Sequence, residues 1–191
     1  MSIIKPNNNT ISAITALPSG MTSAPGLTTG KVLQIVSTTK TDSFATTVNA
    51  NSAADVTGLS VNITPSATSS KVLVWYSVFG ASNQANRQAT IPIRLIRGSS
   101  QICHPDDANN RARITAGQSI NGTDDGNVAV TVSGNFLDSP NSTSQQTYKI
   151  QVFNIADASK QYTVNRTNDD GDVANYRPRG TSTITVMEIA S

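Results

Sequence analysis

The chain's only histidine and only cysteine stand side by side, as Cys103 and His104. A thiol activated by an imidazole needs the two groups facing each other, whereas neighbours on a strand point to opposite faces. The pair therefore reads as a small buried thiol beside a loop histidine. A zinc site would need more His or Cys ligands than the chain owns. Acidic residues gather in "PDD" (105–107), "TDDGN" (123–127) and "NDDGD" (168–172). Asp106, Asp124, Asp125, Asp169, Asp170 and Asp172 could offer oxygens to calcium, but no cluster has the alternating acids and distal Glu of an EF-hand loop. Asp-Gly is a turn signal, and turn chemistry is the expectation for all three. A glycosidase needs two carboxylates across a cleft lined for sugar. Here the only Glu is Glu188, and aromatic residues are 5% of the chain. No catalytic residue, cofactor or metal is expected, and the chain reads as a non-enzyme.

Residues suited to protein contacts are easier to find. "NNRAR" (109–113) and "NYRPRG" (175–180) offer Arg111, Arg113, Tyr176, Arg177 and Arg179 in loops. Arg and Tyr are favoured at interfaces, so these are candidate inter-subunit contacts, set against acidic loops of a neighbouring copy. A second candidate is the opening stretch, "MSIIKPNNNTISAITALPSGMTSAPG". It is rich in Asn, Ser, Thr, Pro and Gly but carries Ile3, Ile4, Ile11, Ile14, Leu17 and Met21. A spacer would not need these aliphatic residues, so they are expected to dock on a partner. One or two helical turns over 10–17 would be too short to be stable alone.

Composition bounds the rest. The chain has 191 residues, 37% of them hydrophobic and 14% charged, with a net charge of +2. Such a chain can fold if its apolar residues alternate along half-buried strands. No run of Lys or Arg occurs, and a nucleic-acid reader would show a basic stripe with stacking aromatics. No apolar run approaches membrane-spanning length, and the first residues make a poor signal peptide. Synthesis in a cytoplasm is expected, without nucleic-acid or membrane partners. The sequons at Asn8, Asn62, Asn121, Asn141 and Asn165 are accordingly read as unused.

The elements that must position these residues are strands. After an extended arm over 1–30, period-two patterns occur at "KVLQIVST", "SFATTV", "VTGLSVNI", "KVLVWYSVF", "TIPIRLIR", "VAVTVSGNF", "TYKIQVF", "QYTVN" and "STITVMEIA". They put Leu59, Val61 and Ile63, then Ile91, Ile93 and Leu95, then Val128, Val130 and Val132, then Tyr148, Ile150 and Val152 inward. "KVLVWYSVF" is apolar on both faces, which places it centrally in a sheet or against another subunit. Pro92 argues for an edge strand or a bulge. Eight to ten strands with turn-rich connections and no long helix predict an all-β fold, a single jelly-roll-like antiparallel β-sandwich over 31–191. Long connections are expected at 104–127, 138–146 and 166–180, where partner contacts usually lie.

At "GKVLQIVSTTKTDSF" (30–44), "VTGLSVNITPSATSSKVLVWYSV" (56–78) and "RLIRGSSQI" (94–102) the chain resembles a family of β-sandwich virion proteins of tailed bacteriophages of aquatic bacteria. The resemblance implies a jelly-roll-like sandwich, frequently trimeric, on the outer surface of a virion. Related sandwiches serve as cement proteins, head fibres and tail fibres. The function expected is that of a capsid cement or decoration protein, a homotrimer bound to the major capsid protein or other virion proteins. The alternative is a tail-fibre or head-fibre adhesin that binds host-surface glycan through the long loops.

Overall fold

The computed structural model of the chain describes residues 30–83, 89–120 and 126–191. The arm, with Ile3, Ile4, Ile11, Ile14, Leu17 and Met21, lies outside the described residues.

Alternating apolar and polar residues make strands wherever they run for five or more positions, because successive side chains leave opposite faces. Eleven strands occur among the described residues: β1 (Val32–Lys40), β2 (Phe44–Val48), β3 (Ala53–Ile63), β4 (Lys71–Ser82), β5 (Ala89–Arg97), β6 (Ser100–Ile102), β7 (Ala116–Ile120), β8 (Val130–Asp138), β9 (Gln146–Phe153), β10 (Lys160–Val164) and β11 (Ser182–Ile189). They form two antiparallel sheets packed face to face, the all-β sandwich expected. The first sheet runs β1-β11-β4-β10-β2, with β8 on β4; the second runs β3-β9-β5-β6, with β7 also on β5.

The core between them is made by the inward sets. Leu59, Val61 and Ile63 are buried, as are Ile91, Ile93 and Leu95, and Tyr148, Ile150 and Val152. Val72, Val74 and Val78 of β4 with Ile184 and Val186 of β11 close the core from the first sheet. In β3 the register shifts between Asp55 and Ser60, and Gly58 sits there at φ +83°. This bulge lets Val56 and Leu59 both face inward, a conformation glycine adopts without strain.

Four expectations need correction. The strand count is eleven among the described residues, above the eight to ten expected. The 104–127 stretch is not all loop, because "AGQSI" forms β7 against β5. β8 begins at Val130, and Val128 is exposed. Finally, β5 is an inner strand, paired with β9 on one side and with β6 and β7 on the other. Pro92 is tolerated because backbone directions alternate. The Ile93 carbonyl accepts from Thr115 N–H and the Leu95 N–H donates to Thr115 Oγ1. The Pro92 nitrogen therefore points the other way, where the β9 pairing has already ended at Ile93 opposite Val152.

The ends of the sandwich are tied by buried polar groups. Asn165, 1% exposed, donates from Nδ2 to the carbonyls of Lys40 and Asp42 and accepts from Ser182 Oγ at 2.6 Å. That position is closed to a glycan in the folded chain. Glu188, 1% exposed, accepts from Gln34 Nε2 at 2.6 Å and from the Ser66 N–H and Oγ at 2.7 and 2.6 Å. Burial acts to raise the Glu188 pKa, but the hydrogen bonds from Gln34, Ser66 and Ser70 outweigh it and lower it to about 2. A depressed carboxyl stabilises the fold fully above its unfolded value of 4.5 and loses that contribution as pH falls toward 2. Thermal melts should therefore drop between about pH 4.5 and 2 in the native chain. Glu188→Gln should melt lower at neutral pH and lose less over that interval. Parallel pH profiles for the two proteins would contradict this assignment.

Candidate protein-interaction surface

The two outer faces of the sandwich differ in chemistry. On the second sheet, outward residues of β3, β9 and β5 form a polar, charge-paired ladder. Lys149 Nζ and Gln151 Nε2 each donate to the Asp55 carboxylate at 2.7 Å. Thr147 Oγ1 donates to Asn62 Oδ1 at 2.7 Å. Burial acts to raise the Asp55 carboxyl, but the bonds from Lys149 and Gln151 prevail and leave it below its ordinary value. Two large apolar groups, Ile96 and Phe153, also take outward positions here, both buried at 4% and 5%, and the Arg94 guanidinium lies 3.4 Å from the Phe153 ring centroid and roofs it with a cation. This is the face of a sheet turned to water.

The outer face of the first sheet is built otherwise. Side chains alternate in β1, β11, β4 and β8, so the partners of Glu188 and Asp138 point inward. The outward positions are Leu33, Ile35, Ser37 and Thr39 in β1, and Thr183, Thr185, Met187 and Ile189 in β11. They continue as Lys71, Leu73, Trp75, Ser77 and Phe79 in β4, and as Thr131, Ser133, Asn135 and Leu137 in β8. Lys71 is the only charged group among them. It stands at the margin, where its Nζ donates to Ser139 Oγ.

Register gathers the apolar members into one row. Ile35 lies opposite Met187, Met187 opposite Leu73, and Leu73 opposite Leu137. The next row is Ser37, Thr185, Trp75 and Asn135. Ile35 is 59% exposed, Trp75 54% and Leu137 50%, with Val32 and Leu33 beside them at 45% and 42%. Single exposed apolar residues are ordinary; here Ile35 and Leu137 are joined through the half-buried Met187 and Leu73 into an uncharged row, which makes this face the candidate interaction surface. The hydroxyl-rich remainder of the face is internally bonded, through Ser37 to Thr185 and Ser133 to Ser77. At the far end the 165–180 loop covers β4: the Phe79 carbonyl accepts from Asn165 N–H, and the Phe79 ring lies directly under Gly180. The open part of the face is thus the end where β1 starts and β11 finishes.

The loop residues expected at subunit contacts are distributed unevenly. Arg111 is exposed. Arg113 is half-buried, and its carbonyl accepts from Arg94 Nε at 3.0 Å and Gln101 Nε2 at 3.2 Å. Tyr176 is 55% exposed. Arg177 donates from Nε to Asn127 Oδ1 at 2.7 Å and approaches Asp169 at 3.5 Å. Arg179 and Arg166 reach Asp170 at 2.5 and 3.8 Å. The arginines of the third loop are therefore matched within their own loop by its acidic cluster. The Asp169 N–H to Gly126 carbonyl bond joins that loop to the start of β8.

Cys103 lies just past β6 at φ 51° and packs partly against the core, where burial pushes its thiol up. His104 is exposed, its Nδ1 3.1 Å from the Pro105 carbonyl. Among the described residues, no group of three or more His, Cys, Asp or Glu is placed to hold a metal ion, and no helix is long and apolar enough to cross a membrane.

The sequence signal for the outer face was the two-sided apolarity of "KVLVWYSVF". The row itself was missed, because it combines residues from four strands that only register brings together. No family model and no curated protein matches the chain, so any functional reading rests on this geometry and on the residues themselves.

Proposed function

We propose that the protein is a structural component of a phage particle, a capsid cement or decoration protein that works by binding and not by catalysis. In this reading the sandwich sits on the outer shell as a trimer, and the uncharged face of the first sheet is set against capsid subunits. The arm ties each copy to its surroundings through Ile3, Ile4, Ile11, Ile14, Leu17 and Met21. The observation that supports it is the contrast between the two outer faces: one carries charge pairs fit for water, the other an open row of Ile35, Met187, Leu73 and Leu137 beside Trp75. Burial of each such side chain contributes about 1.5–3 kcal/mol before ordering costs, and repetition over many copies turns modest joints into a stable shell by avidity.

Trp75 also supports a second reading, a fibre adhesin. An exposed indole flanked by Thr185 and Asn135 is a stacking platform ringed by hydrogen-bonding groups, which suits a sugar ring. Immunogold labelling of intact particles with antibody to the purified protein separates the two. The cement reading predicts gold over heads and no sugar-competed binding of the protein to host cells. Gold confined to tails or fibres, with saturable binding that free sugar displaces, would overturn it in favour of the adhesin.

A further inference from the structure

Among the described residues β8 has a ladder with β4 alone, and β4 fixes where its backbone groups point. Phe79 N–H donates to Ser182 Oγ, and the Phe79 carbonyl accepts from Asn165 N–H. Odd-numbered residues of β4 therefore turn their backbone toward β11 and β10, and even-numbered ones toward β8. Opposite those even residues stand Val130, Val132, Gly134, Phe136 and Asp138. The N–H and carbonyl groups of Thr131, Ser133, Asn135 and Leu137 are left pointing away from the sheet, and all four residues are exposed. β7 runs close to β8 but shares no ladder with it.

Open edges invite pairing, and folds blunt them with short strands, bulges, Lys or Pro. The other edges of this sandwich carry such devices. β2 and β7 are five residues long and β6 three. β1 has a register shift between Val32 and Gln34, with Lys40 at its end, and β3 has a shift between Asp55 and Ser60. β8 has none of them. It runs nine residues in unbroken register with β4, without Lys or Pro. Its one charge, Asp138, is turned inward to Arg97 and Tyr148.

We propose that β8 is a pairing edge for a second copy of this chain, joined antiparallel about a two-fold axis at Gly134. The stretch "TVSGNFL" (131–137) is self-complementary in that register. Thr131 falls opposite Leu137 and Ser133 opposite Asn135, with their free backbone groups facing, and each pair exchanges two hydrogen bonds. No like charges meet. On the inner side Phe136, half-buried at the rim of the core, falls opposite the second copy's Val132 and gains cover. The axis stands perpendicular to the sheet, so the uncharged outer faces of the two copies lie side by side as one surface. Such a joint is isologous, the same patch on both copies. A strand from another protein would find the same backbone groups but not this matching of side chains. The joint stands apart from the cement reading; a trimer in that reading would be linked through it to the next.

Sedimentation equilibrium of the full chain is compared with that of a Ser133→Lys, Asn135→Lys variant. The two lysines set like charges opposite each other across the joint, at the cost of the exposed bond from Ser133 to Ser77. Amide hydrogen exchange of the native chain is followed at low and high protein concentration. The expected result is self-association about tenfold or more weaker in the variant, at an unchanged melting temperature. In the native chain the N–H groups of Thr131, Ser133, Asn135 and Leu137 should exchange about tenfold slower at the high concentration. Equal association of the two proteins, or edge N–H groups whose exchange ignores concentration, would overturn the proposal. A native chain that stays monomeric would also overturn it and leave the edge to a strand of another protein. The exchange measurement uses the native chain alone, so it decides the matter even where the variant fails to fold.

Discussion

Asp138→Ala should remove about 2–4 kcal/mol of folding stability, a large share of the roughly 5–15 kcal/mol that holds a domain folded. Asp138 ends β8 in the first sheet, with its side chain only 8% exposed. Its Oδ2 accepts from Arg97 Nη1 at 2.6 Å and from the Tyr148 hydroxyl at 2.7 Å. Both donors belong to the second sheet, so one carboxylate straps the two layers together at the end of the sandwich. Burial first, and then the bond to Asp138, push the Tyr148 hydroxyl pKa up. That hydroxyl therefore stays protonated and donating over the working pH range. Alanine would leave a fully buried phenol and a partly exposed guanidinium without their acceptor, and an unsatisfied buried donor beside a lost charge-assisted bond is what makes the change large. Asp138→Asn keeps a carbonyl for Tyr148 but drops the charge that Arg97 needs, so it should fall between alanine and the native chain. Urea titrations of the three proteins check this. A loss below about 1 kcal/mol for alanine would mean the strap adds little beyond packing.

The second large effect concerns binding and leaves the fold alone. On the cement reading proposed above, Ile35→Ser with Trp75→Ser should weaken attachment to capsids by about a hundredfold or more, equivalent to about 2.7 kcal/mol. A buried Trp anchor alone is commonly worth about 2 kcal/mol or more. Neither side chain touches the core. Ile35 is 59% exposed and Trp75 54%, and Val36, Tyr76 and Val74 hold their strands from the other face. Stability of the double variant should stay within about 0.5 kcal/mol of the native chain. That separation is what distinguishes an interface from a structural patch.

The inward half of this fold was legible from sequence. Leu59, Val61 and Ile63, or Tyr148, Ile150 and Val152, alternate with polar partners and could face only one way once a sheet formed. β6 and β7 were not legible. β6 is three residues long, and "AGQSI" carries little strand propensity; it is held because β5 offers it an open edge. Pro92 misled for a related reason: a proline argues against an inner strand only where a ladder partner faces its nitrogen. The candidate surface was half legible. The apolar alternate residues of "KVLVWYSVF" pointed to a covered outer face, but the row from Ile35 to Leu137 joins strands about a hundred residues apart and exists only through their register. The matching of Arg177 and Arg179 by Asp169 and Asp170 depends on a loop conformation that residue types do not specify.

The central claim is that the uncharged face of the first sheet is the binding surface. Co-sedimentation with purified phage heads lacking the protein tests it most directly. Three proteins are titrated: the native chain, the Ile35→Ser, Trp75→Ser variant, and a variant with Asp55→Ser and Lys149→Ser on the opposite face. The account predicts saturable attachment for the native chain and for the second-sheet variant, with attachment of the first-sheet variant weakened about a hundredfold at an unchanged melting temperature. Equal attachment of the native chain and the first-sheet variant, with loss in the second-sheet variant, would contradict it and move the interface to the charged face.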